Sequence, residues 1–265
     1  MKLYFKEFNG RKVFLIVCCA IILAAIWLYS AMYPSIQAQS ASLTKALESF
    51  GPAMKAFGVS NFSLDTLQKF LAIELFSITW PVLTIILSIS IAGQTLAGET
   101  EKATIGTILA LPISRTKIVL AKYFSGLSAI TIFVAISTFS AIPIATLYRF
   151  TFQSINFVNL AVLCLLFSWA IYSVAMMFSA ILNEKGQVFM VMGGSLLLMY
   201  IANLLGEMSN KVSWLRYVSI FHWFNASDVL VSNHVNLMAY LIYGVIILLS
   251  GSFGLIWFNR KDVIV

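Results

Sequence analysis

The chain has 265 residues, of which 60% are hydrophobic and 10% carry a formal charge, with a net charge of +7. Soluble domains carry roughly 25% charged residues, so this composition excludes a water-soluble globule, a disordered chain and a disulfide scaffold. The excess of lysine and arginine is typical of membrane-protein loops, where these residues set orientation, and we expect no nucleic-acid partner.

Six apolar runs are each long enough to cross the bilayer as a helix, which takes about 20 residues. They cover residues 13–32, 71–91, 123–147, 158–182, 188–205 and 237–258. The runs are continuous rather than alternating, which excludes a membrane β-barrel. The sequence therefore predicts an all-α, multi-pass protein of the cell membrane, with residues 1–265 forming a single transmembrane domain.

The basic residues predict which loops face the cytoplasm. If the N-terminus is cytoplasmic, the inner segments hold eleven of the basic residues in the shorter total length of loop: Lys2, Lys6, Arg11, Lys12, Lys102, Arg115, Lys117, Lys122, Lys185, Arg260 and Lys261. The outer segments, chiefly residues 33–70 and 206–236, hold the other six. The positive-inside rule then places both termini in the cytoplasm.

The first run has two further interpretations. A secretory signal is the alternative to a membrane span, but its apolar core has about 7 to 15 residues, which is shorter than this run. We therefore predict a retained span. Residues 1–12 interleave aromatic and basic side chains, which suits either a short helix in the headgroup layer or the flank of the first span.

Glu74 is the one acidic residue inside an apolar run. An ionisable group at membrane depth is expensive, so Glu74 is a candidate functional residue. The structural alternative is that it reaches water or pairs with Lys69 or Arg149 near the outer surface. In the second and third spans, Pro81 and Pro143 each remove a backbone donor and predict a kink.

A short amphipathic pattern lies in the loop at residues 92–122, between the second and third spans. The apolar side follows the helical spacing i, i+3, i+4 and i+7, as Ile105, Ile108, Leu109 and Pro112. Glu101, Lys102, Thr104 and Thr107 offer polar contacts around this side. The pattern predicts a helix that either docks in a partner's groove or lies on lipid headgroups.

The end of this pattern predicts a sharp turn. Pro112 cannot comfortably continue the helix, and Ser114 is a suitable cap for the next one. That next helix is basic at its start and leads into the third span. The short helix is therefore joined through the chain to the third span, so movement of a bound partner would be transmitted to that span.

The same loop resembles the cytoplasmic signature of ATP-binding-cassette permeases of the type-2 exporter class. That signature usually reads Glu-Arg/Lys-Gly-Thr, then Leu-Leu-x-x-Pro-x-Ser-Arg, then Lys. The matching positions are Glu101, Lys102, Thr104, Leu109, Pro112, Ser114, Arg115 and Lys122. Ala103 stands where the signature usually has Gly, so the sequence itself does not indicate an unusual backbone angle there.

The resemblance implies the type-2 exporter permease fold and a half-transporter that is not itself an enzyme. Two permeases, as copies or paralogues, would pair in the lipid membrane, each with a separate ABC ATPase subunit that binds ATP and Mg. No phosphate-binding loop occurs in this chain, and we expect no cofactor in it. The residues expected to couple to the ATPase are Glu99, Glu101, Lys102, Thr104, Ile105, Thr107, Ile108, Leu109, Pro112, Ser114 and Arg115.

The outer loop at residues 206–236 is too apolar and aromatic for a free loop, so we expect it to lie at the interface or to dip back into the protein. Its histidines, His222 and His234, lack the neighbouring ligands of a metal site and are expected to be interfacial polar residues.

Two other functions compete with an exporter of hydrophobic or amphipathic cargo such as a peptide, lipid or drug-like molecule. A stand-alone ion-coupled carrier or channel needs facing polar groups at the bilayer midplane, for which Glu74 is the only candidate. An intramembrane enzyme needs a catalytic set that these spans lack.

Overall fold

The computed structural model describes residues 2–39, 66–109, 112–148 and 154–261. All regular elements in these ranges are helices. Six helical stretches are long and apolar enough to span a membrane: Leu3–Gln37, Leu67–Thr95, Arg115–Leu147, Ile155–Ile181, Lys185–Met208 and Leu237–Arg260. The predicted all-α architecture with six spans is confirmed, and we number the spans in this order.

The first span belongs to one unbroken helix, Lys2–Gln37. At 1.5 Å per residue, 36 residues extend about 54 Å, well beyond the roughly 30 Å of hydrocarbon. Residues 2–12 are therefore a continuation of the span, not a separate helix in the headgroup layer. Of the two interpretations of this segment, the structure favours the flank of the first span.

The second span changes its winding along its length. It runs as the helix Leu67–Leu71, the π-helix Ala72–Thr79 and the helix Trp80–Thr95. Within the π-helix the Ser77 hydroxyl donates to the carbonyl of Ala72 at 2.8 Å, five residues earlier. Pro81, which has no N–H to donate, lies in the first turn of the last segment. At the position of the predicted kink, the π-helix therefore ends and the α-helix begins just before the proline.

The third span breaks near its proline, as predicted. It consists of the helices Arg115–Phe139 and Ala141–Leu147, with Ser140 between them and Pro143 in the second. The proline ring would clash with the carbonyl one turn earlier, so the break lies three residues before it.

The fourth, fifth and sixth spans are single helices with different degrees of burial. They are Ser154–Ile181, Lys185–Met208 and Leu237–Arg260. The fourth span is 61% buried over its most apolar window, as is the second, whereas the fifth and sixth are each 22% buried. The second and fourth spans therefore form the centre of the bundle, and the fifth lies at its edge.

The aromatic stretch 206–236 folds back onto the bundle. Of the two predicted alternatives, this is the one in which the stretch dips back into the protein. It contains the short helices Asn210–Val212, Leu215–Val218 and Ala226–Ser232. Phe224 is buried and stacks on Trp80 with ring centroids 5.7 Å apart. The Trp80 indole N–H donates to the Ser137 hydroxyl at 2.8 Å. Most of the predicted outer loop at 33–70, residues 40–65, lies outside the described residues.

Both ends of the described chain lie at one end of the bundle, together with the loop between the second and third spans. Lys122 binds Glu7 near the start of the chain, and Arg115 binds the backbone of Lys261 near its end. We call this the basal end. The sequence predicts that it is cytoplasmic.

Candidate functional site

The segment 97–117 follows the second span at the basal end and begins firmly attached to the bundle. Its first helix, Ala97–Glu101, starts beside the fourth span. The Ser179 hydroxyl of that span accepts hydrogen bonds from the backbone N–H groups of Leu96 and Ala97, at 3.2 and 3.1 Å. These two donors would otherwise be without a partner at a helix start, so the serine fixes where the segment leaves the membrane.

The first helix ends in a Schellman motif centred on Ala103. The N–H of Thr104 donates to the carbonyl of Glu99 at 2.9 Å, and the N–H of Ala103 donates to that of Thr100 at 3.0 Å. Ala103 has a φ of 54°, the left-handed region that favours glycine. The sequence, with Ala at this position, does not indicate this backbone angle, and the structure shows it. The motif also explains physically why the family signature usually has Gly at this position.

Glu99 points from this helix into a buried ion cluster. Its carboxylate accepts a hydrogen bond from the Lys122 ammonium, which is fully buried on the third span. The same ammonium donates to Glu7 Oε1 of the first span at 2.7 Å. Lys122 therefore joins segment 97–117 to the first and third spans.

A second cation completes the cluster. The Arg11 guanidinium contacts the Glu7 carboxylate at 3.3 Å and donates to the Thr95 hydroxyl at 2.8 Å. With two carboxylates and two cations the cluster is electrically balanced. Burial raises the pKa of Glu99, and the Lys122 ammonium offsets part of this rise.

Glu101 points in a different direction and makes a different contact. It is exposed, and its Oε2 accepts a hydrogen bond from the backbone N–H of Lys185 at 2.9 Å. Lys185 is the first residue of the fifth-span helix. The side chain predicted to meet an ATPase thus lies at the start of another span of the same chain.

The predicted amphipathic helix is present as Ile105–Leu109. Ile105 is buried within the chain at 2% exposure, so its side chain packs this helix against the rest of the bundle. The Thr104 hydroxyl donates to the Glu99 carbonyl at 3.2 Å, whereas Thr107 is exposed. The side chains of Ile108 and Leu109 lie outside the described residues.

The turn that follows is exposed and leads into the third span. Pro112, Ile113 and Ser114 are all exposed. Ser114 occupies the position before the helix Arg115–Phe139, but its side chain makes no capping hydrogen bond, so the predicted cap is wrong. A cap is not needed to satisfy exposed N–H groups, because water reaches them.

Arg115 closes the segment against the end of the chain. Its guanidinium donates to the Lys261 carbonyl at 2.8 Å. The Lys261 ammonium in turn donates to carbonyls at the end of the fourth span, including that of Ile181 at 2.9 Å. A cation at a helix C-terminus satisfies its free carbonyls. Sequence analysis missed this role, because it assigned Lys261 only to orientation.

Glu74 pairs with no basic residue that the structure describes, and its role as a functional acid stays a prediction. It lies within the π-helix and is half-buried. Among the described residues nothing forms an ion pair or hydrogen bond with its carboxylate, so the expected pairing with Lys69 is wrong, and Arg149 lies outside the described ranges. Its carbonyl accepts from the Thr79 hydroxyl at 2.9 Å, which supports the π-helix.

The histidines lie at the end of the bundle opposite the basal end. His222 and His234 line a pocket of about 200 Å³ together with Asp228. Burial lowers the pKa of His222, and the Arg216 guanidinium lowers it further. Within the described ranges no three His, Cys, Asp or Glu side chains are grouped to hold a metal ion.

An apolar groove of about 410 Å³ lies between the second and fifth spans. Pro81 and Ile85 form part of one wall, Leu197 and Tyr200 part of the other, and Phe224 contributes from the folded-back stretch. Such a cavity suits an apolar molecule or the apolar part of an amphipathic one.

Three of the predicted site residues bind other parts of the same chain. Glu99 binds the third span, Glu101 binds the fifth span and Arg115 binds the chain end. Lys102, Thr107, Pro112 and Ser114 are exposed. The cluster partner Glu7 was missed, and its only sequence signal is an acid four residues before Arg11 on one helical face.

Comparison with known protein families identifies the chain. It matches the family described as ABC-2 family transporter protein over residues 5–263, nearly its full length. A comparison with curated proteins gives no match. Six apolar helices fit a permease of this family. The chain therefore belongs to the ABC-2 transporter family and is a multi-pass membrane component of a transporter.

Proposed function

We propose that the chain is the non-catalytic permease subunit of an ATP-driven exporter. Two permeases pair in the cell membrane, and each binds a separate ABC ATPase that holds ATP and Mg. Family membership supports the transport role and implies ATPase partners of this kind. The basal end, predicted to be cytoplasmic, is where the ATPases bind.

The observation that carries this proposal is the contrast along segment 97–117. Its two ends are fixed to the bundle by Glu99 and Arg115. Between them Thr107, Pro112 and Ile113 are exposed. Because the segment is attached at both ends, movement of a protein bound to its exposed part is transmitted to the membrane spans. A flexible loop would not transmit such movement. This geometry favours docking of a motor protein over a helix that merely lies on lipid.

The groove between the second and fifth spans supports a hydrophobic or amphipathic cargo. Its lining is mainly apolar, with Ser77 and Tyr200 contributing hydroxyl groups. The fifth span also leaves Leu197 and Leu198 exposed at 59% and 68%. Such a face needs lipid or a second permease against it. These two features support a cargo path between two paired permeases.

The test is to purify the tagged chain in mild detergent and to measure ATP hydrolysis and identify the ATPase that accompanies it. Thr107→Arg and Ile113→Asp place charge on the exposed surface and should lower the amount of bound ATPase by about tenfold. Ser232→Arg, at the opposite end, is the matched control.

The same preparation also tests the competing carrier. Reconstituted complex should move an amphipathic fluorescent probe only when ATP is present. Undiminished ATPase binding by both charged variants would contradict the docking surface. Transport by the lone chain without ATP would instead favour an ion-coupled carrier.

A further inference from the structure

The start of the fifth span is capped by a residue from a distant part of the chain. Glu184, which precedes the helix Lys185–Met208, makes no side-chain capping hydrogen bond. The carboxylate of Glu101, 84 residues earlier, accepts from the Lys185 N–H at 2.9 Å. A negative charge at a helix N-terminus is favourable, because the free N–H groups and the helix dipole are positive there. Glu101 therefore supplies the cap that the helix lacks.

The fifth span is less buried than the second and fourth spans. It is only 22% buried over its most apolar window. Near its start, Phe189 lies against Gly93 of the second span so closely that a Cβ on Gly93 would lie 3.2 Å from the ring. Together, Glu101 and Gly93 attach the first turns of the fifth span to the second span and to segment 97–117.

The same helix forms one wall of the apolar groove. Gly193 and Leu197 line the groove about two and three turns beyond Lys185, a rise of about 12 and 18 Å. A helix is stiff over this length, so a displacement of its first turn also displaces the wall. The opposite wall belongs to the second span, which is centrally buried.

We infer that Glu101 is a positioning residue that links segment 97–117 to the fifth span, so that movement of the segment changes the width of the groove. The inference rests on the proposed function and adds the route by which ATPase movement reaches the cargo path. It also assigns Glu101 to a contact within the permease, which leaves the exposed residues of the segment for the ATPase.

The test compares three variants of the complete permease–ATPase complex reconstituted in sealed liposomes. Glu101→Ala removes the acceptor, Glu101→Gln keeps an oxygen acceptor without the charge, and Glu184→Ala is the control in the adjacent residue. The amount of the amphipathic fluorescent probe transported per ATP hydrolysed should fall about tenfold in Glu101→Ala and recover largely in Glu101→Gln. Bound ATPase and basal hydrolysis should equal those of Glu184→Ala.

A distance measurement gives a readout that folding alone would not change. Spin labels at Thr107→Cys and Gly186→Cys, both exposed positions, report the separation of the segment and the fifth span. The distribution should be narrow in the unmodified background and in Glu101→Gln, and broad in Glu101→Ala.

The outcomes separate the inference from the proposed function. Equal transport per ATP in Glu101→Ala and Glu184→Ala would overturn the inference. Loss of bound ATPase in Glu101→Ala alone would also overturn it, because Glu101 would then be an ATPase contact. Absence of any ATPase from the unmodified complex would instead contradict the proposed function.

Discussion

Two glutamates, two residues apart, attach segment 97–117 to the bundle in contrasting ways. Glu99 lies in a buried ion cluster with the fully buried Lys122, whereas Glu101 is exposed and accepts one backbone hydrogen bond. Residues i and i+2 lie about 200° apart around a helix, so a Glu-x-Glu pair naturally reaches in opposite directions.

The difference in burial implies a difference in strength. Separating a buried ion pair leaves charges without water or partners, which is costly. An exposed hydrogen bond exchanges readily with water and has a small net stabilisation. We therefore expect the Glu99 contact to be the stronger of the two attachments and the Glu101 contact to be the weaker.

The largest expected effect follows from removing the cation of the stronger attachment. Lys122→Met leaves the largely buried carboxylates of Glu7 and Glu99 without their shared partner and should destabilise the protein by about 3–5 kcal/mol. Thermal unfolding of the purified chain measures this. Lys117→Met, an exposed lysine on the same helix, should change stability by less than about 0.5 kcal/mol. Equal effects of the two substitutions would show that the cluster is not an anchor.

A smaller change in stability is expected when only the charge of Glu99 is removed, by protonation or by the substitution Glu99→Gln. Burial raises the pKa of Glu99 above its ordinary value of 4.5, so the folded state binds this proton more tightly than the unfolded state does. Its contribution to stability is then fully present below the unfolded pKa and is lost as the pH rises through the folded pKa.

Thermal unfolding of wild type and Glu99→Gln across this pH range tests the sign. Lowering the pH from the raised pKa towards 4.5 should stabilise wild type relative to Glu99→Gln. Glu184→Gln, an exposed control, should track wild type. A shift in the opposite direction would mean that Lys122 lowers the pKa of Glu99 more than burial raises it.

The sequence predicts the parts of this site that depend on local pattern. The spans and the short helix Ile105–Leu109 follow from apolar runs and helical spacing. The ion cluster does not, because Glu7 and Lys122 are 115 residues apart and their charges were equally consistent with cytoplasmic loops. The capping of the fifth span by Glu101 is likewise non-local, and no pattern near Lys185 indicates it.

The smallest expected effect concerns the turn just after the two glutamates. Ala103 has a φ of 54°, where an L-residue with a Cβ is strained by roughly 1 kcal/mol relative to glycine. Ala103→Gly should therefore raise the stability of the purified chain by about 1 kcal/mol, and Ala103→Val should lower it. Asn233→Gly, at the other described position with positive φ, should gain less, because Asn tolerates this conformation. If Ala103→Gly were destabilising, as glycine is inside a helix, the turn would not hold a left-handed residue.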